Sequence, residues 1–157
     1  RGLRLVQLRE PDLPAAQKAA FCLAAIALCR RFGARVLINA DAALAQQAGA
    51  DGLHLTARQL MALGARPNFP LVAASCHDAR ELAQAARLGL DFVVLGPVNE
   101  TASHPGRAGI GWQAWSALVA GTPLPVYAIG GLALDDMQSA WNAGAHGIAA
   151  IRAAWRV

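Results

Sequence analysis

Strand-like and helix-like segments alternate along this chain from one end to the other, and that alternation most narrows the folds open to it. "LRLVQL" (3–8) reads as a strand. The run opened by Asp12 and Pro14 reads as a helix with Phe21, Ala25, Leu28 and Phe32 on one face, and "ARVLIN" (34–39) as the next strand. "DAALAQQAG", "ARQLMAL", "DARELAQAARLG", "GWQAWSALVA" and "ALDDMQSAWNAG" continue as helices between the strands "ADGLHL", "PLVAAS", "DFVVLG", "LPVYAIGG" and "AHGIAAI". Seven such units in series call for parallel strands joined by crossover helices. An open doubly wound sheet and a (β/α)₈ barrel both satisfy that pattern. Polar or glycine residues end nearly every strand: Gln7 and Arg9, Asn39, His54, Ser75 and His77, Gly96, Gly130 and Gly131. A barrel gathers all strand C-termini around one site, whereas an open sheet uses mainly its switch point, so the barrel is favoured. The chain starts inside a strand and stops just after one. The expectation is a single domain over residues 1–157, a (β/α)₈ TIM barrel lacking its first βα unit and most of its last helix.

Hydrophobic residues make up 55% of the chain, enough for one core. The longest apolar run, Ala19 to Cys29, falls short of the ~20 residues of a membrane span and reads as a buried helix. The first residues lack the pattern of a secretory signal, and a cytoplasmic protein is expected. Cys22, Cys29 and Cys76 form no cluster with metal-ligand spacing and read as buried thiols. The net charge is +4, but the basic residues are scattered without an aromatic-laced stripe, which speaks against nucleic acid and for an anionic small molecule. Lys18 is the only lysine and lies in the helical run, which argues against Schiff-base chemistry.

Several residues stand where chemistry could occur. "AIGGL" (128–132) joins a strand to a helix, so the amides around Gly130 and Gly131 can approach an anion; a tight turn is the alternative use of these glycines. Arg9 could clamp a phosphate or carboxylate, or pair with Glu10. Thr101, Ser103 and His104 bring two hydroxyls and an imidazole to the loop after "DFVVLG". His54 reads as a core histidine bonded to a neighbour. His77 belongs at the rim or, with Asp78, to the start of a helix, and His146 is structural. Trp112, Trp115 and Trp141 occupy packing positions on helices.

The segments "VQLRE", "LIN" with "LAQQAGADGLHL", "AASCHD", "GPVNETASHPG", "PVYAIGGL" and "AGAHGIAAI" together resemble the thiamine phosphate synthase and thiazole tautomerase (TenI-like) superfamily. "ASCHDARELAQAARLGLDFVVLGPV" and "TASHPG…GIGW" are most similar to the domain fused behind bacterial Nudix (MutT-like) hydrolases. The resemblance implies a barrel in which hydroxymethylpyrimidine pyrophosphate is joined to thiazole phosphate with Mg²⁺. Pyrophosphate leaves and the thiazole nitrogen captures the pyrimidine carbocation. Carried over by position, Gln7 and Arg9 contact the pyrophosphate, Asn39 the pyrimidine side, and Ser75, Thr101 and Ser103 the substrate phosphates. Gly131, with the amides near Ile151 and Arg152, holds the thiazole phosphate.

The chain also departs from that pattern. Pro11 stands in place of a pyrophosphate lysine, His104 in place of another, and Ala40 and Gln59 in place of the two acidic Mg²⁺ ligands; Asp41 comes one residue late. Mg²⁺ is expected only if the synthase reaction is retained. The tautomerase branch needs no metal, but its catalytic histidine falls at Pro97, leaving His104 or His77 as substitutes. A third expectation is a non-catalytic module that holds a phosphorylated thiamine precursor for a Nudix partner.

Overall fold

The structure is a computed structural model and describes residues 2–101 and 108–154. Among the described residues seven strands, β1 (Leu5–Leu8), β2 (Arg35–Asn39), β3 (Gly52–Leu55), β4 (Leu71–Cys76), β5 (Phe92–Leu95), β6 (Val126–Ile129) and β7 (Gly147–Ala149), pair in chain order, every pair parallel. The described helices that cross between them are α1 (Ala15–Arg31), α2 (Ala42–Gln47), α3 (Ala57–Ala62), α4 (Ala79–Arg87), α5 (Gly111–Val119) and α6 (Met137–Asn142). Consecutive order leaves no switch point, so the doubly wound alternative falls. The curled sheet is TIM-barrel-like, with β1 and β7 as its two edges among the described residues.

Side-chain parity divides the core. Leu37, Leu71, Ala73, Phe92 and Val94 form one buried cluster, joined by Leu5, Tyr127, Ile129 and Ala149, on the concave face. Their neighbours Val36, Ile38, Leu53, Val72, Ala74, Val93, Leu95, Val126 and Ala128 point the other way and pack beneath the helices. Because both faces are covered, the strands read as continuous apolar runs rather than alternating ones. At the N-terminal ends, aspartates staple neighbouring strands. Asp51 Oδ2 accepts from the Val36 amide at 2.8 Å, and Asp91 Oδ2 accepts from the Val72 amide and from Arg66, each at 2.6 Å.

Most helices follow their local signals. Asp41, Thr56 and Asp78 cap α2, α3 and α4 by accepting from the amides of Leu44, Gln59 and Glu81. Trp115, fully buried on α5, donates from Nε1 to the Leu95 carbonyl at 3.0 Å and packs edge-on against Trp112. Helix α1 departs from its signals. Pro14, not Asp12, occupies its N-cap position, without a side-chain cap. Phe21, Leu28 and Phe32, expected on a buried face, are 41%, 53% and 68% exposed; Cys22 and Ile26 point inward instead. Alanine and leucine surround this helix on nearly every side, so its periodicity carries no direction. Trp141 is likewise exposed rather than packed, and Cys29 is half-buried, unlike Cys22 and Cys76. No helix among the described residues is long and apolar enough to cross a membrane.

The two faces of α1 give opposite expectations under urea denaturation. Ile26→Ala loses about 2–4 kcal/mol, whereas Leu28→Ala stays within about 0.5 kcal/mol of the parent.

Candidate functional site

On four strands the concave apolar floor gives way to a polar residue at the next inward position. Gln7 follows Leu5, Asn39 follows Leu37, His54 follows Gly52, and Ser75 follows Ala73. Parallel pairing puts all four toward the C-terminal ends of their strands. Asn39 and His54 are register partners on β2 and β3. His54 is 1% exposed, and its Nε2 lies 3.0 Å from Ser75 Oγ on β4. Burial lowers the imidazole pKa to about 4, so near neutral pH the ring is uncharged and shares one proton with the serine hydroxyl. The reading of His54 as a hydrogen-bonded core histidine holds, and its partner is a candidate site residue.

Arg9 lies just beyond β1, exposed and without an ion pair to Glu10 or to any other acid among the described residues. Lys18 pairs instead with Asp41 at 3.8 Å. His77 satisfies both readings made of it. It is at the rim, and it belongs to the start of α4: Asp78 caps the helix, while Glu81 reaches back to accept from the His77 amide at 2.6 Å and lies 2.9 Å from Nδ1. Glu81 gave no sign in the sequence reading beyond its place four residues on. A cavity of about 170 Å³ beside the pair is lined by His77, Gly96, Pro97, Ala108 and Ile110. Nearby Cys76 is buried, which pushes its thiol up to about 12, and the Glu81 and Asp78 charges act in the same direction. It is no nucleophile at neutral pH.

The Gly130–Gly131 turn meets the loop after β5. The amides of Val98 and Asn99 donate to the Ile129 and Gly130 carbonyls at 2.8 and 3.1 Å, and Asn99 Nδ2 donates to the Gly131 carbonyl at 3.4 Å. Both glycines have positive φ. A Cβ on Gly130 would come within 2.5 Å of Pro97 Cα, and one on Gly131 within 2.7 Å of the Glu100 carbonyl. The tight-turn use of these glycines is therefore real, and it draws the turn against the loop from Pro97 to Glu100. Thr101 Oγ1 is enclosed with no hydrogen-bond partner among the described residues. Ser103 and His104 lie outside the described residues. Ile151 is exposed, at the start of a short 3₁₀ turn (Arg152–Ala154) that follows β7.

The positions where the resemblance would put Mg²⁺ ligands do not fit a cation. Ala40 has no donor atom on its side chain. Gln59 accepts at Oε1 from the amide and hydroxyl of Thr56 (3.0 and 3.1 Å) and donates from Nε2 to the Ala40 carbonyl at 2.8 Å. Asp41, one residue late, is turned to its capping bond with Leu44. Among the described residues no three His, Cys, Asp or Glu side chains come together to hold a metal ion.

A family model described as "Thiamine monophosphate synthase" matches residues 1–154. The chain is 40% identical to a putative thiamine-phosphate synthase of Geobacter sulfurreducens, over 97% of this chain and 73% of that protein. It is 37% identical to a thiamine-phosphate synthase of Thermus thermophilus, over 97% and 75%. Among solved structures, thiamine phosphate pyrophosphorylase from Pyrococcus furiosus superposes with a TM-score of 0.77 at 24% identity, covering 94% of this chain and 72% of that one, a likeness of fold.

Buried, uncharged His54 makes stability depend on pH. Its folded pKa lies below the unfolded value of about 6.5, so the unfolded chain binds more protons between pH 6.5 and 4. Stability is full above that window and falls on acidification, by on the order of 3 kcal/mol from this group. Denaturation midpoints measured across the window will show the slope, and His54→Gln will flatten it.

Proposed function

Because the chain belongs to the thiamine monophosphate synthase family, we propose that it is a thiamine phosphate synthase-like domain of thiamine biosynthesis. In this reading it takes hydroxymethylpyrimidine pyrophosphate and thiazole phosphate at the C-terminal face of its strands. The observation that carries the reading is the inward polar set of Gln7, Asn39 and the His54 and Ser75 pair above an apolar floor. A flat heteroaromatic ring has apolar faces and polar edges, and a pocket that steps from one character to the other suits both. Arg9 and Gln7 suit the pyrophosphate, since a guanidinium with no ion pair among the described residues can hold two of its oxygens. The enclosed Thr101 hydroxyl and the Gly130–Gly131 turn suit the thiazole phosphate, with the backbone at Ile151 and Arg152 as its further wall.

Joining the two substrates breaks the bond between the pyrimidine methylene and pyrophosphate oxygen, and the leaving group keeps the electron pair. The lone pair of the thiazole nitrogen then forms the new carbon–nitrogen bond. Arg9 meets charge that grows on the departing oxygens, a contact stronger in the transition state than before it. Ser75 is held by an uncharged His54, so the carbocation meets a hydroxyl dipole there rather than a second positive charge. No cation is assigned to this step.

A second reading has its own support in the His77 and Glu81 pair. The His77 ring, 2.9 Å at Nδ1 from the Glu81 carboxylate, lines a small cavity, an arrangement suited to moving a proton on a thiazole phosphate. His104 is the other candidate for that role. The likeness to domains fused behind Nudix hydrolases supports a further extension, in which this domain serves a Nudix partner by holding a phosphorylated precursor for it. Three free thiols suit the reducing cytoplasm, where this biosynthetic role belongs.

Calorimetry with each precursor, in EDTA and in Mg²⁺, tests the proposal. Saturable heat is expected for both. Arg9→Ala should weaken hydroxymethylpyrimidine pyrophosphate about tenfold or more and thiazole phosphate by less than about threefold. Absence of heat with either precursor removes the reading. Loss of thiazole proton exchange in His77→Ala, with binding retained, would favour the second one.

A further inference from the structure

The loops after β2 and β3 are where the family resemblance expects a divalent cation, and here they are tied to each other directly. Ala40 sits in the left-handed region at φ 62°, an uncommon place for a residue with a Cβ. Its amide donates to the His54 carbonyl at 2.8 Å, extending the pairing of β2 with β3 by one residue. Its carbonyl accepts from Gln59 Nε2, also at 2.8 Å. Gln59 is itself locked at the third position of α3. It completes a capping box with Thr56, accepting from the Thr56 amide and hydroxyl while its own amide donates to Thr56 Oγ1 at 3.2 Å. Both ends of one carboxamide are thereby used, the oxygen inside α3 and the nitrogen across to the β2–α2 loop.

We propose that Gln59 is a positioning residue that clasps the β2–α2 loop through the Ala40 carbonyl, so that a hydrogen bond holds these loops where a bridging cation would otherwise join them, and the chain holds no divalent cation there. The clasp depends on the amide as a donor. A carboxylate of the same size could still cap α3 but would face the Ala40 carbonyl with a second oxygen, an arrangement that needs either a proton or a cation between them. An aspartate at position 40 would suit its backbone at least as well as alanine does, since Asp tolerates the left-handed region better. Glutamine at 59 and alanine at 40 are thus a matched pair, and exchanging both for acids would build a metal site in place of the clasp. The inference goes beyond the proposed function, and its test uses no thiamine precursor, so it can fail or stand independently of that reading.

The test follows Mn²⁺ by the EPR signal of the free aqueous ion and stability by thermal denaturation, on the intact chain. The wild type is expected to leave the Mn²⁺ signal undiminished and to melt at the same temperature in EDTA and in Mg²⁺. Gln59→Glu should lower the melting midpoint by about 3–6 °C at neutral pH. The introduced carboxyl must be protonated to donate to Ala40, so its folded pKa is raised. The missing bond is then restored below the unfolded value of about 4.3 and lost as pH rises through the folded one, and the gap from wild type narrows on acidification. A residue that merely fills space would show no such pH dependence. The double variant Ala40→Asp with Gln59→Glu should remove Mn²⁺ signal at one ion per chain and regain stability when Mg²⁺ is added. One Mn²⁺ bound per wild-type chain overturns the proposal, as does a Gln59→Glu variant as stable as wild type at every pH.

Discussion

Parallel pairing of strands in strict chain order is the constraint from which the rest of this structure follows. It sends every chain crossing over the outside of the sheet, so helices cover the convex face and the concave face is left to small and branched apolar side chains. It also brings every strand C-terminus to the same end. Residues far apart in sequence, such as His54 and Ser75, then come within one hydrogen bond of each other. No motif made of neighbouring residues is needed to assemble the polar set above the floor; the pairing register assembles it.

On β1 to β4 the inward column changes character at one step. Leu37 gives way to Asn39, Ala73 to Ser75, and the same step occurs on β1 and β3. The apolar floor limits how far water reaches between the strands, and low polarity beneath it strengthens each polar contact above. His54 illustrates the balance. Burial keeps its imidazole uncharged, and the Ser75 hydroxyl satisfies the ring nitrogen that burial would otherwise leave without a partner.

The strands and most helices were legible because short apolar runs were punctuated by Gly, Pro and capping residues; "DFVVLG" contains β5, and "PLVAAS" covers β4 except Cys76. The barrel was legible from the polar strand ends. The buried face of α1 was not, since a helix apolar on nearly all sides offers no phase to read. At the site, the family pattern marked Gln59 by the acid it replaces. What it does instead rests on the backbone at Ala40, a left-handed turn that alanine does not announce. Thr56 and Gln59 did stand three apart in the manner of a capping box, a signal that was present and went unused. The pairing of Glu81 with His77 was equally open to a spacing argument, being four residues along the first turn of α4.

The aspartate staples sit at the opposite end of the strands from every candidate site residue. Asp51 and Asp91 hold β2 and β4 near their N-terminal ends, the latter with Arg66. The groups that anchor the sheet and the candidate site residues are thus housed at separate poles of one sheet. Side chains at the candidate-site pole can therefore be exchanged while the anchoring pole continues to specify the same architecture. A scaffold arranged this way can lose or change its reaction long before it loses its shape.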